Sequence, residues 1–329
     1  MKRISAFLRA AAAVLATVAL TGCAPAEPSE PLTVDLSPQA QEDCVTPPFW
    51  VVEDDSTGAQ IFMLGSMHAG NSGTKYPDYV MEAFNNSSWV APEMDTVSFA
   101  QNASLQRKCA AYLRLEGTDM EQLLGDSYAE TLRFFTENGI YRQGMESFCP
   151  FYWASAASSL VTDGAGLDSS YGTESLLLDL AHSKRKEIRE IEGGEAQYRM
   201  MGEIPLSIQL STLAECVGDD SVAAQAEDTR HLYAAWSSFD DEFFRGLSVY
   251  DPETVDNPED WEKYYDLMYA SRQKQMAQFV TDSLEAGELG FVFVGTMHFY
   301  AEPSIITLLE EAGYTISAII PEKSADEAA

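Results

Sequence analysis

The sequence contains two copies of one short pattern that ends in histidine. Residues 61–68 read IFMLGSMH and residues 291–298 read FVFVGTMH, so each copy is an apolar run followed by Gly, a hydroxyl residue, Met and His. The chain has four histidines, and two of them, His68 and His298, hold the same position in this pattern. Imidazole binds metal ions and exchanges protons near neutral pH, so this repeated position indicates a chemical role.

Each copy predicts a buried β-strand that ends at its glycine, Gly65 or Gly295, where the chain can turn sharply. Near-continuous apolar runs are typical of strands covered on both faces of a sheet. Ligands of α/β sheets bind at the carboxyl ends of the strands, so two such strands side by side would bring His68 and His298 to one site. The alternative is two unrelated strand ends, each with a partly buried histidine. The shared apolar register and the shared Met favour one site.

A carboxylate follows a third predicted strand. The segment WVAPEMD, residues 89–95, places Glu93 just beyond this strand, and we expect Glu93 beside His68 if the strand neighbours the first copy. Two His and one Glu form a common ligand set of catalytic zinc, which leaves one position open for water. Without the histidine pair, a helix cap or a solvated acid would be the better interpretation of Glu93.

The patterns around these strands predict an α/β fold, because strands alternate with helices at both ends of the chain while the middle is helical. Residues 48–54 and 59–67 predict a hairpin across a turn-rich segment. The helical middle runs from Gln101 to Gly218, and within it Thr118 and Glu121 are expected to form a capping box. A helix, a Gly turn and a final strand follow over residues 303–321.

The N-terminus predicts export. Residues 1–22 combine a basic start with a short apolar run, and the LTGC segment is similar to a bacterial lipobox in which Cys23 carries lipid. An ordinary secretory signal is the alternative. We expect a flexible tether over residues 23–43, a folded domain over 44–320 and a disordered tail over 321–329. The protein would then be attached through the lipid on Cys23 to the bacterial cell membrane, facing the outside.

Charge and cysteine content limit the possible partners and set an expectation for disulfides. The net charge of −32 argues against a nucleic-acid partner, because phosphate binding requires a basic face. The domain contains Cys44, Cys109, Cys149 and Cys216. An even number in an exported domain predicts at least one disulfide with open connectivity, and the alternative is four buried thiols.

Several segments of the chain resemble the TraB/GumN family, which includes the Tiki proteins. They include IFMLGSMHAG, WVAPEMD, YGTESLLLDLAHSKRKEIREIEGGEAQ and VFVGTMHFYAEPSIITLLEEAGYTI, and they follow the order of the family. The two Gly-x-x-His motifs with a Glu between them are its most specific marks. The resemblance implies a Tiki-like α/β fold of two pseudo-related β-sheet halves with a helical middle. It also implies a metal-dependent hydrolase site at the carboxyl ends of the strands.

The resemblance also assigns candidate roles. It implies that His68, Glu93 and His298 hold a divalent ion such as Zn, Mn or Co, or orient its water. Glu174 becomes a candidate general base or further ligand, and Arg272 a candidate for stabilising an oxyanion or holding a substrate carboxylate. The structural alternatives are a helix N-terminus for Glu174 and an ion pair for Arg272.

Three further positions belong to motifs of the family. Glu192 and Gln197 match its E…Q step, and Gln273 stands where the family usually has Asn after the arginine. The other two histidines, His182 and His231, lie among polar residues on predicted helices and are expected at the surface.

We therefore expect a metal-dependent hydrolase, and most simply a peptidase with a peptide or protein substrate. Tiki proteins are described as metal-dependent proteases that trim the N-terminus of secreted Wnt ligands. Two other functions remain open. One is metal-free hydrolysis in which His68 is a general base oriented by Glu93. The other is a lipid-tethered binding module that holds haem, metal or a peptide in the same pocket.

The lipobox interpretation can be tested by cell fractionation. Replacement of Cys23 by Ala removes the lipid acceptor, so Cys23→Ala should move the protein from the membrane fraction to the soluble fraction. The same distribution for the variant and the unaltered protein would contradict lipid attachment at Cys23.

Overall fold

The structure, a computed structural model of the chain, describes residue 41, residues 43–247 and residues 257–321. The expected signal peptide, Cys23, and nearly all of the expected tether and tail lie outside these residues. Gln41, which we placed in the tether, accepts a hydrogen bond from the backbone N–H of Asp78 at 2.7 Å and so contacts the folded domain.

A six-stranded mixed sheet organises the described residues, in the order β4-β3-β5-β2-β1-β6. Strands β4, β3, β5 and β2 run parallel to one another, whereas β1 runs antiparallel to both β2 and β6. The strands are β1 (Phe49–Asp54), β2 (Ala59–Ser66), β3 (Trp89–Pro92), β4 (Glu187–Ile188), β5 (Leu289–Gly295) and β6 (Thr315–Ala318). The α/β class expected from the sequence is confirmed.

Helices fill the intervals between the strands, and a π-helical turn, Asp266–Ala270, precedes α13. The α-helices are α1 (Asp78–Asn86), α2 (Thr96–Gln101), α3 (Ala103–Tyr112), α4 (Met120–Leu124), α5 (Tyr128–Glu137), α6 (Pro150–Gly164), α7 (Thr173–Lys184), α8 (Gly194–Glu203), α9 (Leu206–Cys216), α10 (Asp219–Ser237), α11 (Asp241–Leu247), α12 (Pro258–Tyr265), α13 (Ser271–Glu285) and α14 (Ile305–Glu311).

Strands β2 and β5 are buried on both faces, as their apolar runs predict. Side chains alternate along a strand, so Phe62 and Phe291 pack on the face covered by α1 and α7. Met63 and Val292 point to the other face, where α10, α13 and α14 pack. Both faces of the central strands therefore exclude water, and the strand ends that carry the two motifs are held in a rigid frame.

The expected hairpin and the helical middle are both present. In the β1–β2 turn, the Asp54 carboxylate accepts hydrogen bonds from the backbone N–H of Ser56 at 2.8 Å and from the Thr57 hydroxyl at 2.9 Å. The expected capping box is wrong by one residue. Asp119 is the N-cap of α4 and accepts from the Gln122 N–H, whereas the Thr118 hydroxyl donates to the Gln122 side-chain oxygen at 3.1 Å.

The strand order decides which motif lies beside Glu93. Strands β2 and β5 are parallel neighbours, so the expected juxtaposition of the two copies is confirmed. Strand β3, which leads to Glu93, pairs with β5 and not with β2. Glu93 therefore follows a strand adjacent to the copy that contains His298, and the expectation that placed it beside His68 is corrected. The expectation of two pseudo-related halves stays a prediction.

None of the four described cysteines is in a disulfide, and three of them, Cys109, Cys149 and Cys216, are buried. Cys216 packs with Trp153 beneath α6 and α9, whereas Cys109 and Cys149 belong to a separate apolar cluster around α3 and α12. The disulfide predicted from the sequence is therefore absent from this structure.

Within the described ranges, no helix combines the length and the apolar character that a membrane span requires.

Gly290 permits close packing between two central strands, and this packing predicts the effect of a substitution. A Cβ atom at Gly290 would lie 2.2 Å from the ring of Trp89, which is fully buried on the neighbouring β3. Because such overpacking costs about 1–3 kcal/mol, Gly290→Ala should lower the free energy of unfolding by this amount in urea titration.

Gly246 in α11 is the matched control, since a Cβ there would meet nothing within 4 Å. Gly246→Ala should leave the protein as stable or raise its stability by up to about 1 kcal/mol. Equal effects of the two substitutions would contradict the described packing of β3 on β5.

Candidate active site

The carboxyl ends of the parallel strands open into a cavity of about 90 Å³. His68, Glu93, Arg272 and His298 all line this cavity. Glu174, the fifth candidate, reaches the same place through a contact with His68. The structure thus brings together residues separated by more than 200 positions in the chain.

The two motif copies end in different conformations. The first copy continues after Ser66 as irregular chain with a bend at His68, whereas the second turns at once into a short 3-10 helix, Thr296–Phe299. The pairing is also staggered by one residue, so that Ser66 lies opposite Gly295. As a result, the side chain of His298 is 5% exposed and that of His68 is 24% exposed.

The two motif glycines have different roles. A Cβ atom at Gly65 would lie 2.8 Å from the Thr296 hydroxyl and 3.3 Å from the Thr296 Cα, so Gly65 permits a close approach. The Gly65 carbonyl accepts a hydrogen bond from the Trp236 indole at 2.8 Å. Gly295 has a φ of −48°, which other residues can adopt, and its N–H donates to Glu93 Oε1 at 2.8 Å. The expected turn is present directly after Gly295, whereas at Gly65 it is corrected, because β2 continues through Gly65 to Ser66.

His68 is held by Glu174, which lies in the first turn of α7. The imidazole Nδ1 is 3.1 Å from Glu174 Oε2, and the Ser66 hydroxyl donates to Glu174 Oε1 at 2.5 Å. The backbone is tied in the same place, because the Met67 N–H donates to the Thr173 hydroxyl at 3.0 Å. These contacts fix the ring of His68 and leave Nε2 as its available nitrogen.

This pair shifts the pKa of both of its members. Burial disfavours a charged His68, but the Glu174 carboxylate outweighs it and raises the pKa of His68 to about 9. Burial also disfavours a charged Glu174. The charge of His68 and the hydrogen bonds from His68 and Ser66 outweigh that effect and lower the pKa of Glu174. The two groups therefore form an imidazolium–carboxylate pair at neutral pH.

Glu93 belongs to a second, larger network centred on Arg272 of α13. The Arg272 guanidinium donates to Glu93 Oε2 at 2.5 Å and to Glu192 Oε1 at 2.6 Å. Gln197 of α8 donates from Nε2 to both carboxylates, at 2.9 Å and 3.0 Å. Arg272 also donates to the Met268 carbonyl at 3.2 Å.

The contacts of Arg272 are those of a positioning residue. Its Nε, Nη1 and Nη2 atoms all donate to protein acceptors, and only 12% of the side chain is exposed. Arg272 therefore forms the ion pair that was the structural alternative to a catalytic role. A role in stabilising an oxyanion stays a prediction.

His298 is buried between this network and an aromatic wall. Its Nε2 lies 3.6 Å from Glu93 Oε1, and its ring is 5.8 Å from that of Tyr269. Its Nδ1 is buried and has no hydrogen-bond partner among the described residues. Burial, and next the positive charge of Arg272, hold the pKa of His298 well below its usual range, so this imidazole is neutral.

The remaining histidines differ from each other. His231 is 65% exposed and faces Glu227, which confirms a surface position. His182 is not a free surface residue, because its Nε2 lies 2.9 Å from the buried carboxylate of Asp95. Asp95 caps α2, two residues after Glu93, so His182 connects α7 to the segment that carries Glu93.

Two contacts of the site had little signal in the sequence. The Ser66 hydroxyl reaches Glu174, although the motif only shows that a hydroxyl residue recurs after the glycine. Gln273 is fully buried and donates to the carbonyls of His298 and Ala301, at 3.3 Å and 2.8 Å. Gln273 therefore supports the turn that carries His298, a contact that depends on the fold and not on local spacing.

The sequence model of the TraB/PrgY/gumN family matches residues 48–318, which includes the sheet and every residue of the cavity. The chain therefore belongs to the TraB/PrgY/gumN family. Searches of curated proteins and of solved structures found no match.

The network around Arg272 predicts a large loss of stability when its charge is removed. Arg272→Gln would leave two carboxylates, 14% and 4% exposed, without their cation. Because breaking a buried ion pair costs about 3–5 kcal/mol, the free energy of unfolding should fall by that amount in urea titration.

Arg133→Gln is the matched control. Arg133 is 65% exposed and lies 3.8 Å from Glu130, so the same substitution there should change stability by no more than about 0.5 kcal/mol. Equal, small effects at both positions would show that Arg272 is not the cation on which Glu93 and Glu192 depend.

Proposed function

We propose that the protein is a hydrolase of carbonyl substrates, most simply a metal-dependent peptidase, with one Gly-x-x-His strand from each of two pseudo-related halves. The observation that carries this proposal is the pair of differently held imidazoles on one cavity. His68 is fixed through Nδ1 by Glu174, and His298 is neutral and buried beside Glu93.

The donors fit a divalent ion in their chemistry. A metal-binding histidine commonly donates the N–H of one ring nitrogen to a carboxylate, and this hydrogen bond orients the other ring nitrogen towards the ion. His68 and Glu174 have this arrangement. His298 is already neutral, as a ligand must be, and its Nδ1 has no described partner. Glu93 would contribute Oε1, since Oε2 accepts from Arg272 and Gln197.

The spacing of these donors is looser than that of a ligand set. Among the residues that the structure describes, no three His, Cys, Asp or Glu side chains are close enough together to hold an ion. Binding would therefore require His68, Glu93 and His298 to rearrange within the cavity. A bound divalent ion such as Zn, Mn or Co would lower the pKa of a water molecule and polarise the substrate carbonyl.

The residues of the chain would prepare the site for this chemistry. Glu174 holds a proton at Nδ1 of His68, so that only Nε2 can change its proton or ligand. Arg272 and Gln197 hold the Glu93 carboxylate in place by donating to Oε2. An apolar wall that includes Trp236 and Phe244 limits the access of water. Preorganised charges act more strongly in such a site than in bulk water.

Metal-free hydrolysis is the second candidate, and the contact between His68 and Glu174 favours it. Such a carboxylate–histidine pair is the usual arrangement of a general acid or base with its orienting carboxylate. Because the pKa of His68 is raised to about 9, its neutral form would serve as the base near and above that pH, and its protonated form would serve as an acid at lower pH. In this version Glu174, and not Glu93 as the sequence suggested, would orient His68. The haem-binding alternative gains less support, because a cavity of about 90 Å³ is well below the roughly 300 Å³ of common cofactor sites.

We also propose where this hydrolase works. The LTGC segment and the short apolar run before it support export and a lipid on Cys23 that attaches the protein to the outer side of the cell membrane. The substrate would then be a peptide or protein outside the membrane.

The proposal predicts that His68→Ala, Glu93→Ala and His298→Ala each lower hydrolysis of an unbiased peptide library by roughly 10²–10⁴-fold, because each removes part of one catalytic unit. The exposed His231 provides the control, and His231→Ala should retain full activity. Elemental analysis of the purified protein and assays after chelation, with Zn, Mn or Co added back, measure the dependence on metal.

Metal binding can be measured separately from catalytic activity. Glu174→Gln should weaken metal binding by about 10–100-fold, because it replaces the charged carboxylate that orients His68 with a neutral amide. Activity that survives chelation, in protein without bound metal, would support the metal-free version. Full activity of both His68→Ala and His298→Ala would contradict the hydrolase proposal.

A further inference from the structure

The lining of the cavity is unusually rich in methionine. Of the twelve methionines in the chain, five line this cavity: Met67, Met200, Met201, Met268 and Met297. Met67 and Met297 directly precede the two motif histidines, which gives the repeated Met of the pattern a place in the site. The other three come from α8 and from the π-helical turn before α13.

We propose that these methionines bind an uncharged aliphatic side chain of the substrate, adjacent to the carbonyl group that is cleaved. The inference rests on the proposed hydrolase function, because that function places the carbonyl beside His68 and His298. Methionine is flexible and polarisable, so a lining of methionines adapts its shape to an aliphatic chain.

Charge excludes other kinds of side chain. The charged groups on the lining are already paired, since Arg272 contacts Glu93 and Glu192 and His68 contacts Glu174. A charged substrate side chain would lose its water without gaining a free partner of opposite charge, which is unfavourable. The apolar lining therefore selects against Lys, Arg, Asp and Glu at this substrate position.

Size excludes large rings. A dry protein cavity of about 150 Å³ holds benzene, whereas this cavity has about 90 Å³. Three aromatic rings, Trp236, Phe244 and Tyr269, already occupy part of its boundary. An aliphatic chain of three or four carbons fits such a space better than an aromatic side chain.

Binding of small amides tests this inference without turnover. The probes are the N-acetyl amides of alanine, 2-aminobutyric acid, norvaline and norleucine, titrated into the full-length protein labelled with ¹³C at the methionine methyl groups. Each added methylene should tighten binding by about fourfold until the cavity is full. The methyl signals of the five cavity methionines, assigned through single Met→Leu variants, should shift, while those of Met63, Met120 and Met276 should not.

The same assay includes a matched pair of variants. Met200 and Met81 are both half-buried helical methionines, but only Met200 lines the cavity. Met200→Gln should weaken binding of the norleucine amide by at least about fourfold. Met81→Gln should leave it unchanged. Thermal unfolding of both variants shows whether each retains the fold.

The outcomes separate this inference from the proposed function. A flat series, shifts outside the cavity methionines, or binding of the lysine or phenylalanine amide as tight as that of the norleucine amide would overturn the side-chain preference. A steep series with no cleavage of any library peptide would retain the pocket and contradict the hydrolase. Cleavage of library peptides together with a flat series would support the hydrolase and contradict the side-chain preference.

Discussion

The arrangement of the site depends on one buried cation, the guanidinium of Arg272. It lies between Glu93 and Glu192, whose side chains are 14% and 4% exposed, and it donates to both. Without it, two carboxylates would face each other in a region of low dielectric, where like charges repel strongly. The planar guanidinium group presents donors to both carboxylates at once, and the single ammonium group of a lysine could not do so in the same geometry.

The Arg272 contacts also connect parts of the chain that are distant in sequence. Glu93 follows β3, Glu192 follows β4, and Arg272 lies in the first turn of α13. The backbone N–H groups of Glu192 and Gly193 both donate to the Glu93 carbonyl at 3.0 Å, so the two strand ends are joined by main chain as well as by charge. The network therefore locks the edge of the sheet to the helix that covers it, and Glu93 cannot turn without disturbing both.

The sequence predicted the parts of this structure that have a local periodic signal. The apolar runs before Gly65 and Gly295 predicted two buried strands, and their similarity predicted that they are neighbours. The order of the strands in the sheet could not be predicted in this way. The sequence of a short strand such as Trp89–Pro92 does not indicate which strand it pairs with. For the same reason Glu93 was expected beside the wrong motif copy.

Contacts between distant elements account for the other differences. Glu174 contacts Ser66, 108 positions away, because Thr173 holds the start of α7 against Met67. The spacing of residues in the sequence does not predict this packing. The resemblance to the family, and not the periodicity, brought Glu174 and Arg272 into consideration. The disulfide expectation used only the number of cysteines, whereas bond formation depends on their placement, which the sequence does not reveal.

The repeated motif produces two histidines with different properties, and the cause lies in their carboxylates. Among the described residues, Glu174 forms its ion pair with His68 alone, so its charge stabilises the imidazolium and raises the pKa of His68 to about 9. Glu93 is paired with Arg272, and the guanidinium adds its own positive charge close to His298. Burial and this charge keep His298 neutral. One cavity thus presents a protonated imidazole and a neutral one, which a strict repeat of the same surroundings could not achieve. The difference arises because the two strands are followed by different chain paths. Irregular chain with a bend places His68 against α7, and a 3-10 turn places His298 against α13 and its arginine.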